Sequence, residues 1–172
     1  ENCDAFLDRV EAETGIEIET ISSTEEVRLA LLGCMPLLDG DEPYGLVFDI
    51  GGGSTEVVWL DVAADRPDII GCLSVPHGVV NLSERHGAGD IGDESYRNIV
   101  EEFEAHMAEF CDRHGIGEAV EGGEVQMLGT SGTLTTLAGV HLELPRYDRA
   151  AVDGTFLGAD EARRVSERLR AM

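Results

Sequence analysis

The chain has 172 residues, 42% of them apolar, enough for a real core in one domain or two small lobes. Its net charge is −23, from 35 acidic residues against 12 arginines and no lysine, so nucleic acid and anionic membranes are expected to be repelled. No run approaches the roughly 18 apolar residues that span a bilayer, and Cys3, Cys34, Cys72 and Cys111 lack metal-ligand spacing, which reads as free, mostly buried thiols in a reducing cytoplasm.

The opening, Glu1-Asn2-Cys3-Asp4, has neither an initiator Met nor a signal-peptide pattern. The final helix reaches Met172 with no stop signal. Both features lead us to expect a piece of a longer protein. Ala5, Phe6 and Val10 mark one face of a helix over residues 3–14, closed by Gly15. Ile16-Glu17-Ile18-Glu19-Thr20-Ile21 alternates strictly and reads as a half-buried strand. Ser22, Ser23 or Thr24 caps the next helix, and Ser23 with Glu26 has the spacing of a capping box. Val27, Leu29, Ala30, Leu31 and Leu32 continue that helix to Gly33 or Pro36. Glu25 and Glu26 sit in its first turn, where the helix dipole favours anions, and capping alone accounts for both on pattern. Residues 37–44 read as a polar loop.

The chain is organised around Val47-Phe48-Asp49-Ile50-Gly51-Gly52-Gly53-Ser54-Thr55-Glu56, which reads as strand, glycine turn, strand. An apolar run delivers Asp49 to a strand end, and Glu56 opens the returning strand. Bare amides in a glycine turn can wrap an anion closely, because a Cβ would hold the ligand away. A carboxylate beside such a turn can hold a divalent cation. A plain hairpin with a loose turn is the alternative, although it needs two turn residues rather than three glycines between acids.

Residues 61–67 then turn, and Asp68 to Val75 is expected as a third antiparallel strand. His77 to Leu82 starts a short helix, and residues 86–94 form a loop. Ile99, Val100, Phe103, Met107, Phe110 and Cys111 recur at helical spacing over residues 95–113, with His106 on the apolar edge and Gly115 and Gly117 closing the region. Val125 to Leu128 is a short buried strand running into a Gly129-Thr130-Ser131-Gly132-Thr133 turn and an apolar helix. Amides at such a helix start make a second anion site, or a simple connector. Ala151 to Leu157 reads as a last short strand, and Ala159 to Met172 as an amphipathic helix.

Taken together, three motifs resemble the exopolyphosphatase / guanosine pentaphosphate phosphatase (Ppx/GppA) family of the actin–Hsp70–sugar kinase superfamily. They are Ile21-Ser22-Ser23-Thr24-Glu25-Glu26-Val27-Arg28-Leu29, Asp49 to Glu56, and Gly129 to Thr133 followed by Thr136-Leu137-Ala138. Tyr147-Asp148 to Gly154 also fits. The resemblance implies an α/β fold: a ribonuclease-H-like lobe with a mixed sheet flanked by helices. Residues 1–30 would be the end of a first lobe with its crossover helix, and residues 31–172 the second lobe.

The resemblance also implies roles. Glu26 would be the general base on the attacking water, with Arg28 orienting the water or the phosphate. Asp49 would bind metal, with Glu56 as the second acid supporting metal or water. Gly51, Gly52, Gly53, Ser54 and Thr55, and later Gly129, Thr130, Ser131 and Gly132, would hold phosphate. The expected chemistry is hydrolysis of a terminal phosphoanhydride of polyphosphate or guanosine pentaphosphate, with Mg²⁺ or Mn²⁺ as cofactor. Pairing into a homodimer is expected of the full-length protein.

The family's first phosphate loop would lie upstream of Glu1, so the isolated piece is expected to have little or no activity. Two other readings stand beside the hydrolase: an ATP-binding lobe of the same superfamily, and a non-catalytic acidic interaction module. The Glu26–Arg28 helix start favours hydrolysis, since it supplies a base outside the glycine turns.

Overall fold

The computed structural model describes residues 3–38, 41–63, 67–87 and 91–171. The loops expected over 37–44, 61–67 and 86–94 lie partly outside the described residues. The side chains of Ser23 and Thr24 lie outside them as well, and with them the proposed Ser23 capping box. The chain divides into two compact units, Glu1–Gly33 and Cys34–Met172.

The first unit contains α1 (Cys3–Thr14) and most of α2 (Ser23–Cys34). Gly15 ends α1 at φ 72°, and its N–H donates to the Glu11 carbonyl at 2.8 Å. That left-handed position favours glycine because it has no Cβ. The strand expected over Ile16 to Ile21 does not form, and Ile16, Ile18 and Ile21 are exposed. A strand needs a neighbour for its N–H and C=O rows, and the described residues of this unit supply none. Ser22 caps α2, its Oγ accepting the Glu25 N–H at 3.2 Å.

The second unit is built on a four-stranded sheet of order β3-β2-β1-β4. β1 (Tyr44–Ile50), β2 (Thr55–Asp61) and β3 (Asp68–Val75) form an antiparallel meander, and β4 (Val125–Thr130) runs parallel to β1. The crossover from β3 to β4 carries α3 (Val79–His86), α4 (Asp93–His114) and α5 (Ile116–Glu121). After β4 come α6 (Ser131–His141), α7 (Arg149–Val152) and α8 (Ala159–Arg170). Alternation along the strands puts Leu46, Val57 and Trp59 on one face, where they pack with Phe110, Ile116 and Ala119 of α4 and α5. Tyr44 stacks on Trp59 with ring centroids 5.0 Å apart. A mixed sheet flanked by helices, of β-β-β-α-β order, is the ribonuclease-H-like arrangement expected.

Several local expectations are corrected. Gly115 does end α4, at φ 65°, but Gly117 does not close the region: it lies inside α5, which begins at once because Ile116 and Ala119 are buried in the core. β4 runs on to Thr130, since Gly129 and Thr130 still pair with Phe48 and Asp49 of β1. Residues 151–157 are not a strand: Asp148 accepts the Ala150 N–H at 3.0 Å and starts α7, whose Val152 is buried. The cysteines are not mostly buried, for Cys3 and Cys72 are exposed and Cys34 and Cys111 half-buried. His106 is exposed on α4, its ring centroid 5.8 Å from that of His77. Among the described residues no helix is long and apolar enough to cross a membrane.

Candidate anion-binding cleft

At the end of β1, the Gly51–Ser54 turn is gripped from one side. The carbonyl of Gly51 accepts the Val79 N–H at 3.0 Å, and that of Gly52 accepts the Val80 and Asn81 N–H groups at 2.8 and 3.3 Å. The carbonyl of Gly53 accepts from Asn81 Nδ2 at 2.5 Å. All three carbonyls therefore point at the first turn of α3. In a trans peptide the N–H opposes the C=O across the bond. The N–H groups of Gly52, Gly53 and Ser54 consequently point away from α3, and no described residue accepts from them. Three successive amides aimed to one side form a concavity suited to an anion.

None of the three glycines has a positive φ, so their conformation does not require glycine. Space does. A Cβ on Gly52 would press on Val80 at 3.2 Å, whereas one on Gly53 would meet open space. Gly78 is the tightest position: a Cβ there would overlap the backbone of Gly52 and Gly53.

The second set of donors is the N-terminus of α6. Thr130 is its N-cap but gives no side-chain cap, and no described residue accepts from the N–H of Ser131, Gly132 or Thr133. Ser131 holds φ 72°, unusual for a residue with a Cβ. Its Oγ donates to the Ile50 carbonyl at 2.8 Å, and Thr133 Oγ1 donates to the same carbonyl at 2.9 Å. The last carbonyl of β1 thus ties the glycine turn to the start of α6. Gly51 and Gly52 of the turn and Ser131, Gly132 and Thr133 of α6 line one cleft of about 580 Å³, together with Ile50, Val79, Thr136, Leu137 and Leu169; Gly53 and Ser54 lie at its margin, outside this lining. In a chain of net charge −23, none of these lining residues is charged.

Beside the turn, Asp49 lies directly across the ladder from Glu56. Asp49 in turn pairs with Thr130 of β4, and Glu56 with Ser74 of β3. Alternation places this row on the face opposite the Leu46–Trp59–Phe110 core. Ser74 Oγ donates to Glu56 Oε1 at 3.1 Å. Adjacent carboxylates repel unless something positive sits between them, and hard oxygen donors of this kind fit Mg²⁺ or Mn²⁺. Among the described residues no group of three or more acidic, histidine or cysteine side chains is clustered for a metal. Asp49 and Glu56 would thus be a two-carboxylate foothold rather than a closed cage.

Not every site residue predicted from sequence presents its side chain outward. Thr55 is buried, and its hydroxyl donates to the His77 carbonyl at 2.7 Å. Gly129 belongs to β4, where a Cβ would meet Leu134 Cγ at 2.7 Å. In the first unit, Arg28 makes a two-pronged contact with Glu25, Nε to Oε2 at 2.8 Å and Nη2 to Oε1 at 2.7 Å. Those hydrogen bonds hold the Glu25 carboxyl below its ordinary value and push the Arg28 guanidinium up. The Glu26 N–H donates to the Ser22 carbonyl at 2.9 Å, while its exposed side chain has no hydrogen-bond or ion-pair partner among the described residues. Sequence reasoning missed Asn81, Val79, Thr136 and Leu169. The Gly78-Val79-Val80-Asn81 run carried a signal: a glycine before a helix start, with an amide side chain three residues on.

A mixed sheet of β-β-β-α-β order flanked by helices puts this lobe in the class of ribonuclease-H-like folds. Residues 1–165 match the Ppx/GppA phosphatase family, and the chain belongs to that family. It is 30% identical over 133 residues to a guanosine-5'-triphosphate,3'-diphosphate pyrophosphatase of Pseudoalteromonas atlantica, covering 77% of this chain and 24% of the relative. It is 26% identical over 162 residues to exopolyphosphatase 2 of Mycobacterium tuberculosis, covering 92% and 47%. The crystal structure of the Aquifex aeolicus family member superposes with a TM-score of 0.73 at 26% identity, over 100% of this chain and 52% of that one. The chain therefore spans about half or less of each of these relatives.

Proposed function

We propose that the chain is the phosphate-holding lobe of a phosphoanhydride hydrolase that releases terminal phosphate from inorganic polyphosphate or guanosine pentaphosphate. The observation that carries this reading is the joining of two amide sets at the Ile50 carbonyl over an uncharged cleft. Backbone N–H groups stabilise phosphoryl oxygens without adding net charge, and they are already fixed in place before the ligand arrives.

In this reading the amides of Gly52, Gly53 and Ser54 and those at the start of α6 bind the phosphoryl oxygens. Asp49 and Glu56 would hold Mg²⁺ or Mn²⁺, which supplies further charge neutralisation. Glu26, whose side chain has no partner among the described residues, accepts the proton of the attacking water. Arg28 orients the water or the phosphate, once released from Glu25. Polyphosphate and guanosine pentaphosphate both present the terminal anhydride this chemistry needs.

The test is phosphate release from long-chain polyphosphate and from guanosine pentaphosphate by the full-length gene product with Mg²⁺. Glu26→Gln is expected to lower kcat about 10²- to 10⁴-fold, the usual range for a lost general base. Undiminished turnover in that variant would remove Glu26 from the mechanism, and absence of release from both substrates would overturn the hydrolase reading.

A further inference from the structure

We infer that Asn81 is a positioning residue for the anion-binding turn, setting the direction of its free amides through the carbonyl of Gly53. The inference rests on the proposed reading of the turn as a phosphate site. Asn81 is half-buried on α3 and joins three backbone segments. Its Nδ2 donates to the Gly53 carbonyl at 2.5 Å and to the Pro76 carbonyl at 3.1 Å. Its Oδ1 accepts the Gly78 N–H at 2.8 Å. Its own N–H reaches the Gly52 carbonyl at 3.3 Å.

These bonds divide into two jobs. The Gly78 bond caps the start of α3, as any acceptor at the third helical position could. The Gly53 bond is different, because it fixes the peptide whose other end is the Ser54 N–H. The carbonyls of Gly51 and Gly52 are held by backbone amides of α3, which no side-chain change can remove. The Gly53 carbonyl has Asn81 Nδ2 as its partner, so this third peptide depends on one side chain. Without that donor it can rotate, and the three amides no longer converge.

Asn81→Asp separates the two jobs. The carboxylate still accepts from Gly78 and suits a helix start. It offers no donor to Gly53 and sets an oxygen against that carbonyl. In the full-length protein we expect Asn81→Asp to keep its Tm within about 3 °C of wild type. Its KM for polyphosphate should rise about tenfold, with a smaller change in kcat. The deficit should persist at about 0.5 M salt, where simple repulsion by the new charge is largely screened. Asn81→Ala should show the same KM rise together with a lower Tm.

A second readout does not need turnover. In protein labelled with ¹⁵N-glycine, inorganic pyrophosphate should shift the Gly52 and Gly53 amide signals in wild type at about tenfold lower concentration than in Asn81→Asp. Equal pyrophosphate titrations in the two proteins would overturn the inference. So would a KM in Asn81→Ala that stays at the wild-type value while activity falls only with the folded fraction. If wild type releases no phosphate from either substrate, the hydrolase reading fails, while the pyrophosphate titration still decides the role of Asn81. If pyrophosphate shifts neither glycine signal in wild type, the turn is no anion site and the inference falls with it.

Discussion

Asp49 and Glu56 face each other across the β1–β2 ladder, one register step from the glycine turn that joins the two strands. Like charges at opposed cross-strand positions destabilise a sheet by roughly 0.2–1 kcal/mol relative to neutral pairs. A fold that keeps them gains nothing in stability from doing so. We expect Asp49→Asn to raise the Tm slightly in the presence of a chelator, by up to about 4 °C. The same variant should lose at least about 100-fold of metal-dependent phosphate release. Thermal melts with and without EDTA and Mg²⁺, paired with turnover, check this. A lower Tm in chelator would show that the two carboxylates do not repel one another in the folded protein.

Gly53 and Gly78 make opposite predictions although both lie at the turn. A Cβ on Gly53 meets nothing and its φ is not positive, so Gly53→Ala should leave stability unchanged or raise it by about 0.4–1 kcal/mol. The methyl would instead stand where a phosphate oxygen approaches, and KM should rise about tenfold or more. Gly78→Ala drives its Cβ into the backbone of Gly52 and Gly53, so stability should fall by about 1–3 kcal/mol. Urea unfolding and steady-state kinetics on the pair separate ligand space from packing space.

The hairpin and the β3 strand were legible because short apolar runs there are bounded by glycine and polar turns. α4 was legible because its apolar residues repeat at helical spacing. Ile16 to Ile21 alternates strictly and forms no strand, because alternation describes a face and cannot supply the neighbour that pairs with it. α5 was hidden behind two glycines, and burial of Ile116 and Ala119 outweighs their weak helix propensity. In the candidate site, Gly51 to Ser54 could be read from composition and Asn81 as a helix-start residue, but the bond from Asn81 to the turn could not. Asn81 acts on Gly53 from 28 residues away, and a sequence pattern does not show which distant side chain completes a turn.

Ser131 combines a strained backbone with a useful hydroxyl. A non-glycine residue at φ 72° costs about 1–3 kcal/mol, and the Ile50 hydrogen bond returns about 0.5–1.5 kcal/mol. Ser131→Ala keeps the strain and loses the bond, so it should destabilise by about 0.5–1.5 kcal/mol. Ser131→Gly loses both and should come out near neutral. Chemical denaturation of the two variants reads this directly. A glycine variant less stable than the alanine variant would show that the left-handed backbone at this position is not strained.

Glu25 and Glu26 are neighbours in sequence, but among the described residues only the Glu25 side chain has a partner. Glu25 is joined to Arg28, whose hydrogen bonds hold the Glu25 carboxyl below its ordinary value of 4.5. A carboxylate with a depressed folded-state pKa stabilises the fold above the unfolded value, and that contribution is lost as pH falls through the folded one. Wild type should therefore melt above Glu25→Gln at neutral pH, by a small margin because the pair is exposed. The margin should shrink below about pH 4.5 and vanish in stronger acid. At neutral pH, Glu25→Gln frees Arg28 and should leave phosphate release within about threefold of wild type, whereas Glu26→Gln should nearly abolish it. A loss of turnover in Glu25→Gln as deep as that in Glu26→Gln would move the base from position 26 to position 25.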